Sequence, residues 1–164
     1  MITKKHLKEV LRYAPSTGRF TWIISSRKTK PGQRAGWWDE QNYLYIRIDK
    51  KLYAAARLAF LYMTGSWPIN GFVDHRNGDS TDNRWVNLRD ATKKINQENR
   101  RSASANNQTG FLGVSPCGGR YIATINTSEN GQRKRHTIGY FDDPEKAHAA
   151  YVKAKRKLHE GCTI

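Results

Sequence analysis

Leu7, Val10 and Leu11 recur at i, i+3 and i+4 within residues 4–13, so the spacing predicts a short amphipathic helix, broken by Pro15 and Gly18. Two strand-like runs follow, RFTWII and NYLYIRI, separated by KTKPGQRAG, whose proline and glycines demand a turn or loop. The second run reaches a turn at Asp49-Lys50-Lys51 and continues as LYAAARLAFLYMTG. There Ala55, Leu58, Ala59 and Tyr62 predict a helix stopped by Gly65. Residues 1–70 therefore read as a small α+β unit.

Residues 71–101 read as strand, turn, strand and helix. Phe72–His75 is a short strand, Asn77-Gly78-Asp79 a turn, and Trp85–Leu88 an apolar return strand. From about Asp90 the run ATKKINQENRR is polar and basic with few apolar anchors, which suits a helix lying on a partner better than one buried in a core. SASANNQTG is small, polar and aperiodic, and reads as a linker over residues 102–109. Beyond it, Phe111–Val114, Arg120–Thr127 and Arg135–Gly139 form three predicted strands, joined by Pro116/Gly118/Gly119 and by Ser128-Glu129-Asn130-Gly131. A helix follows, with Pro144 in its first turn behind Asp142 or Asp143 as cap and Gly161 as its stop. Ala147, Ala150, Tyr151, Ala154 and Leu158 make its apolar stripe, while Lys153, Lys155, Arg156 and Lys157 are expected mostly to face water. The fold class is α+β. A first domain spans 1–101 with its candidate chemistry at 71–101, and residues 110–164 form a three-stranded antiparallel sheet packed on one helix.

Charge adds what patterning leaves out. The 164 residues carry 29 Lys+Arg against 14 Asp+Glu, a net +15, and a polyanion is the expected partner. Residues 1–104 hold 20 basic and 9 acidic side chains and residues 105–164 hold 9 and 5, so both parts are positive. With 37% hydrophobic and 11% aromatic residues the chain has material for folded cores, unlike a disordered basic tail. No run approaches the roughly 18 apolar residues of a membrane helix, and the expectation is a soluble, cytoplasmic protein. The two cysteines, Cys117 and Cys162, form no C-x-x-C pair, which points to free thiols rather than a zinc knuckle or a disulfide framework.

VDHRNGDSTDNRWVNLRDATKKINQENR sets a carboxylate and an imidazole side by side at a strand end, then asparagines at 87 and 96. Adjacent strand residues point to opposite faces, so Asp74 and His75 are expected to divide the labour. Asp74 supplies a hard oxygen to Mg²⁺ or Mn²⁺, and Asn96 brings an amide oxygen to the same ion. Such an ion accepts one or two protein ligands where phosphate oxygens and waters fill the other positions. His75, with an ordinary pKa of about 6.5, can be neutral near pH 7 and take a proton from an attacking water. Asn87 either bonds a backbone group across the hairpin or holds the second imidazole nitrogen. A solvated Asp-His pair beside an ordinary Asn-Gly turn is the alternative.

Asp74-His75, Asn77-Gly78, Asp82-Asn83-Arg84, Asn87-Leu88-Arg89 and Asn96, with Asn99 a turn further on, together resemble the HNH nuclease motif. This is the ββα-metal finger, in the variant with Asn in place of the final His that phage and intron-encoded homing endonucleases carry. YAPSTGRFTW and YLYIRIDKKLYAAARLAFLYMTGSWP resemble the N-terminal part common in such proteins, with one departure at Ala56, where many relatives have His. The resemblance implies a metal-dependent DNA nuclease in which His75 is general base, Asp74 and Asn96 hold one divalent ion, and Asn87 supports the loop. Arg84, Arg89, Arg100 and Arg101 are the candidate DNA contacts of this region.

TGFLGVS, RYIATI and HTIGYFDDPEKAHAAYVKAKRKLHEG resemble an APETALA-two/ethylene-response-factor domain, which implies a three-stranded sheet laid in a DNA major groove with its helix behind. Alternation places Tyr121, Ala123 and Ile125 toward the helix and Ile122, Thr124 and Asn126 on the other face. Arg120, Thr124, Asn126, Arg133, Arg135 and Thr137 are the candidate DNA-reading residues. The expected function is an HNH endonuclease that nicks duplex DNA as a monomer, with no protein partner evident. The alternative is a sequence-specific DNA-binding protein or regulator with a silent nuclease motif. RNA binding is less favoured, because the aromatic residues fall on core-like strand positions.

Overall fold

The computed structural model describes every residue except Asn130, so the expected turn at Ser128-Glu129-Asn130-Gly131 lies partly outside the described residues. The chain divides into two compact units, Met1–Asn96 and Gln97–Ile164.

In the first unit, helix α1 (Lys4–Val10) starts at Thr3, whose hydroxyl accepts from the His6 N–H at 3.3 Å. The helix ends earlier than the spacing predicts. Leu11–Ala14 is strand β1, paired antiparallel with β2 (Arg19–Trp22) in the register Leu11↔Trp22 to Ala14↔Arg19. Leu11 and Tyr13 are both buried, so period two wins over period 3.6 once β2 offers a ladder to the backbone. Strand β3 (Trp37–Trp38) was not anticipated; it pairs with β4 (Leu44–Ile48), which pairs with β5 (Lys51–Ala54). Asp49 and Lys50 make the β4–β5 turn with φ of 50° and 64°, the left-handed pair that suits a two-residue hairpin. Helix α2 (Ala55–Thr64) ends on Gly65 in the left-handed conformation, as its sequence predicts. Leu7, Leu11, Phe20, Ile46 and Leu58 form the centre of this unit's core.

Strand β6 (Phe72–His75) pairs antiparallel with β7 (Leu88–Ala91), Asp74 opposite Arg89 and His75 opposite Leu88. The expected return strand over Trp85–Leu88 is corrected: Trp85–Asn87 is a 3-10 turn, β7 begins only at Leu88, and helix α3 (Lys93–Glu98) starts later than predicted. The Trp85 N–H is committed to the Pro15 carbonyl and the Asn87 N–H to the Arg84 carbonyl, both at 3.0 Å, so neither donor is available to a ladder with β6.

In the second unit, β8 (Val114–Cys117), β9 (Arg120–Glu129) and β10 (Gln132–Phe141) form an antiparallel sheet with β9 central, backed by α4 (Pro144–Leu158). The first strand begins later than expected because Phe111–Gly113 turns over the helix. Gly113 has φ of 79°, and a Cβ there would lie 2.1 Å from the Tyr151 ring. Val114, Ala123, Ile125, Ala147 and Tyr151 form the core. Asp143 is the cap, its carboxylate accepting from the Glu145 N–H at 2.7 Å.

Two expectations for α4 are overturned. Lys155 is only 1% exposed, with its ammonium donating to the Arg100 carbonyl, and burial lowers its pKa. Leu158, assigned to the apolar stripe, is 49% exposed where the helix ends, short of Gly161. The lysine stem is buried on its way to a backbone acceptor, which helical periodicity cannot foresee. Among the described residues, no helix is long and apolar enough to cross a membrane.

Candidate active site

Asp74 and His75 close strand β6 and are both buried, at 4% and 6% exposure, so the strand end does not send one inward and the other to solvent. Asp74 accepts from Nε of Arg89, its cross-strand partner, at 2.8 Å. The His75 ring lies 3.3 Å through Nε2 from the side-chain oxygen of Asn83, itself 3% exposed. The Asn83 amide nitrogen points back to the Thr81 carbonyl at 3.5 Å, which leaves its oxygen toward the imidazole. An amide oxygen only accepts, so the neutral ring carries its proton on Nε2 and its lone pair on Nδ1.

The loop between the strands is braced from within. Asn87 accepts from the Asn77 N–H at 2.9 Å and donates to the Asp82 carbonyl at 2.8 Å. Of the two roles open to it in the sequence, these bonds are those of the backbone brace, and the group against the imidazole is Asn83. The Asn77 amide donates to Asp82 at 2.8 Å, and Arg84 grips the same carboxylate through Nε at 2.7 Å and a terminal nitrogen at 2.6 Å. That fork is the main reason the Asp82 pKa falls to about 2.

Burial pushes the His75 pKa below its ordinary value, partly offset by the Asn83 bond and the carboxylates of Asp74, Asp79 and Asp82. The imidazole is thereby held in its neutral, proton-accepting form. Tyr43, exposed on the β3–β4 turn, places its ring centroid 6.2 Å from that of His75. Its turn is held by Asp39, which accepts from the Gln41 and Tyr43 N–H groups at 2.9 and 2.8 Å.

Asn96 sits on α3, exposed, with its N–H bonded to the Thr92 carbonyl at 3.0 Å. Among the described residues no three His, Cys, Asp or Glu side chains gather as a metal cage. The donors that fit a divalent ion are hard oxygens, the Asp74 carboxylate and the Asn96 amide, a set suited to an ion that keeps waters and takes phosphate oxygens.

Several arginines proposed for DNA have partners within the chain. Arg84 holds Asp82, Arg89 holds Asp74, and Arg100 donates to the Ser102 carbonyl at 3.1 Å. Arg101 donates to the Thr163 carbonyl at 2.8 Å, and Arg120 to Asp142 at 2.7 Å. On the C-terminal sheet, Thr124 lies opposite Thr137 and Asn126 opposite Arg135, so these four share one face with Arg133, opposite Ser128. Arg133, Arg135 and Thr137 are exposed on it.

Sequence reasoning placed Asn83 in the motif but gave it no role, and it passed over Tyr43. The Asp82-Asn83-Arg84 run was the one available signal. What aims the Asn83 amide comes from residues far away in the chain.

A model of the HNH endonuclease family matches residues 53–98. No curated protein matches the chain. Among solved structures, the chain is similar to one described as "DNA binding and cleavage by the HNH homing endonuclease I-HmuI", at 20% identity over 98% of this chain and 93% of that one, with a TM-score of 0.47. The matched segment contains Asp74, His75, Asn83, Asn87 and Asn96, and the His75 imidazole within it is buried, which lowers its pKa. Residues 53–98 are thus similar to the HNH endonuclease family, and the motif residues of the sequence fall within that stretch.

Proposed function

We propose that the protein is a metal-dependent DNA endonuclease of the homing type, nicking one strand of duplex DNA as a monomer in the cytoplasm. The single observation that carries the chemistry is the His75 imidazole, buried at the end of β6 with Nε2 committed to Asn83. Nδ1 is then the basic nitrogen and takes a proton from the water that attacks the scissile phosphorus. Asp74 and Asn96 would hold a divalent ion, Mg²⁺ or Mn²⁺, which when bound stabilises charge on the scissile phosphate and on the departing 3′-oxygen. Arg89 orients Asp74 from the paired strand, and Asn87 keeps the loop from collapsing over the imidazole. One such site per chain cuts one strand per engagement.

The APETALA-two-like sheet supplies site recognition on this reading. Thr124, Asn126, Arg133, Arg135 and Thr137 present donors and positive charge from one face of β9 and β10, as phosphate and base-edge contacts require. Arg84, Arg100, Arg101 and Arg120 would exchange their present partners for phosphates on binding.

Incubating supercoiled plasmid with the protein and Mg²⁺ or Mn²⁺ tests the proposal. Conversion to open circles, stopped by chelator, supports it. Tight binding without conversion at any divalent ion would instead describe a DNA-binding regulator with a silent site.

A further inference from the structure

The β1–β2 hairpin touches the active-site loop at three consecutive residues. The Tyr13 hydroxyl, buried, donates to the Asn83 carbonyl at 2.7 Å, and the Pro15 carbonyl accepts from the Trp85 N–H at 3.0 Å. Gly18, with φ of 71°, lies against the same backbone: a Cβ there would sit 2.4 Å from the Asn83 carbonyl carbon and 2.6 Å from the Arg84 nitrogen. Only glycine permits that approach. Burial raises the Tyr13 pKa, so the phenol keeps the proton it donates. The ring is fixed in turn by Phe20, stacked at 4.7 Å between centroids, and by Tyr62 edge-on at 5.7 Å.

The Asn83 side chain meets His75 while its backbone carbonyl is gripped by Tyr13. We infer that Tyr13 is a positioning residue for His75: the N-terminal hairpin fixes the Asn83 backbone, the Asn83 amide then fixes the imidazole tautomer, and Gly18 is the clearance that lets the two segments meet. The YAPSTG run thus acquires a task in the chemistry otherwise carried by residues 71–101. This rests on the reading of His75 as the base.

Tyr13→Phe removes one hydroxyl and keeps the ring's packing. In the ¹⁵N spectrum of the metal-free full chain, the two His75 ring nitrogens should move from a single Nε2–H tautomer toward the averaged values of a mixture. Single-turnover cleavage should slow about 10-fold while the DNA Kd stays unchanged, as a small misplacement of a reacting group predicts. Ile48→Val loosens the core of the same unit without touching the Tyr13 hydroxyl or its stacking partner, and should lower the melting temperature without moving the His75 signals. An unchanged His75 spectrum in Tyr13→Phe overturns the inference, as does an equal shift in Ile48→Val, which would mark general loosening. If the wild-type protein cuts no DNA, the functional reading fails, yet the tautomer measurement still decides whether Tyr13 positions His75.

Discussion

Arg89 Nε lies 2.8 Å from a carboxylate oxygen of Asp74, directly across the β6–β7 ladder. Both groups are largely shielded from water, and the bond holds the Asp74 carboxylate aimed. Arg89→Ala removes a charged hydrogen bond worth about 2 kcal/mol and should lower stability by that order. Arg89→Lys keeps the charge but not the planar donor, and should recover only part. Urea unfolding of the three proteins measures both.

Asn87 joins the two ends of the loop with one donated and one accepted bond, at 2.8 and 2.9 Å. Asn87→Ala leaves the Asn77 N–H and the Asp82 carbonyl without these partners and should cost about 2–3 kcal/mol. Asn87→Asp keeps the acceptor but sets a buried carboxylate oxygen against the Asp82 carbonyl, so its cost should be at least as large. Cleavage should fall in both variants even at temperatures where they remain folded, measured as single-turnover rates against melting curves.

The depressed His75 pKa has a defined sign. The unfolded chain binds a proton near pH 6.5 that the folded one refuses until lower pH, so stability rises with pH through that window and is complete above it. Fluorescence-monitored unfolding of metal-free protein should show this dependence, and His75→Gln should flatten it. An NMR titration placing His75 above its ordinary value would contradict the assignment of burial as the dominant cause.

Much of this fold is legible from the residues, and what is not has a physical reason. The Gly65 stop, the Asp49-Lys50 turn and the Asp143 cap are local: each needs only its own backbone and side chain. Strand β1 is not local, since Leu11 and Tyr13 suit a helix face until β2 supplies the ladder. Lys155 belongs to the same class, because its acceptor at Arg100 lies 55 residues away in sequence. At the candidate site the titratable residue types could be read directly. The role of Asn83 could not, since its orientation depends on a hairpin 70 residues upstream at Tyr13.

Arg133 and Arg135 lie exposed on the sheet face proposed to meet DNA. If each neutralises one phosphate, Arg133→Ala and Arg135→Ala should each reduce the slope of log Kd against log salt by about 0.9. Fluorescence anisotropy across a salt series gives the slopes. Leu52→Ala, on the exposed side of β5 in the other unit, serves as a reference and should leave the slope unaltered.

Lys155→Ala deletes both a buried aliphatic stem and the ammonium that caps the Arg100 carbonyl, and should destabilise the second unit by about 2–4 kcal/mol. Lys155→Met restores the packing without the donor and should recover part of that loss. Differential scanning calorimetry of the full chain reads both.

The most direct measurement is single-turnover nicking of a supercoiled plasmid by wild-type and His75→Ala proteins matched for DNA binding, at saturating Mg²⁺. Removal of the general base should slow nicking by about 10²–10⁴-fold with the Kd unchanged. Equal rates in the two proteins would contradict a mechanism in which the His75 imidazole takes the proton from water.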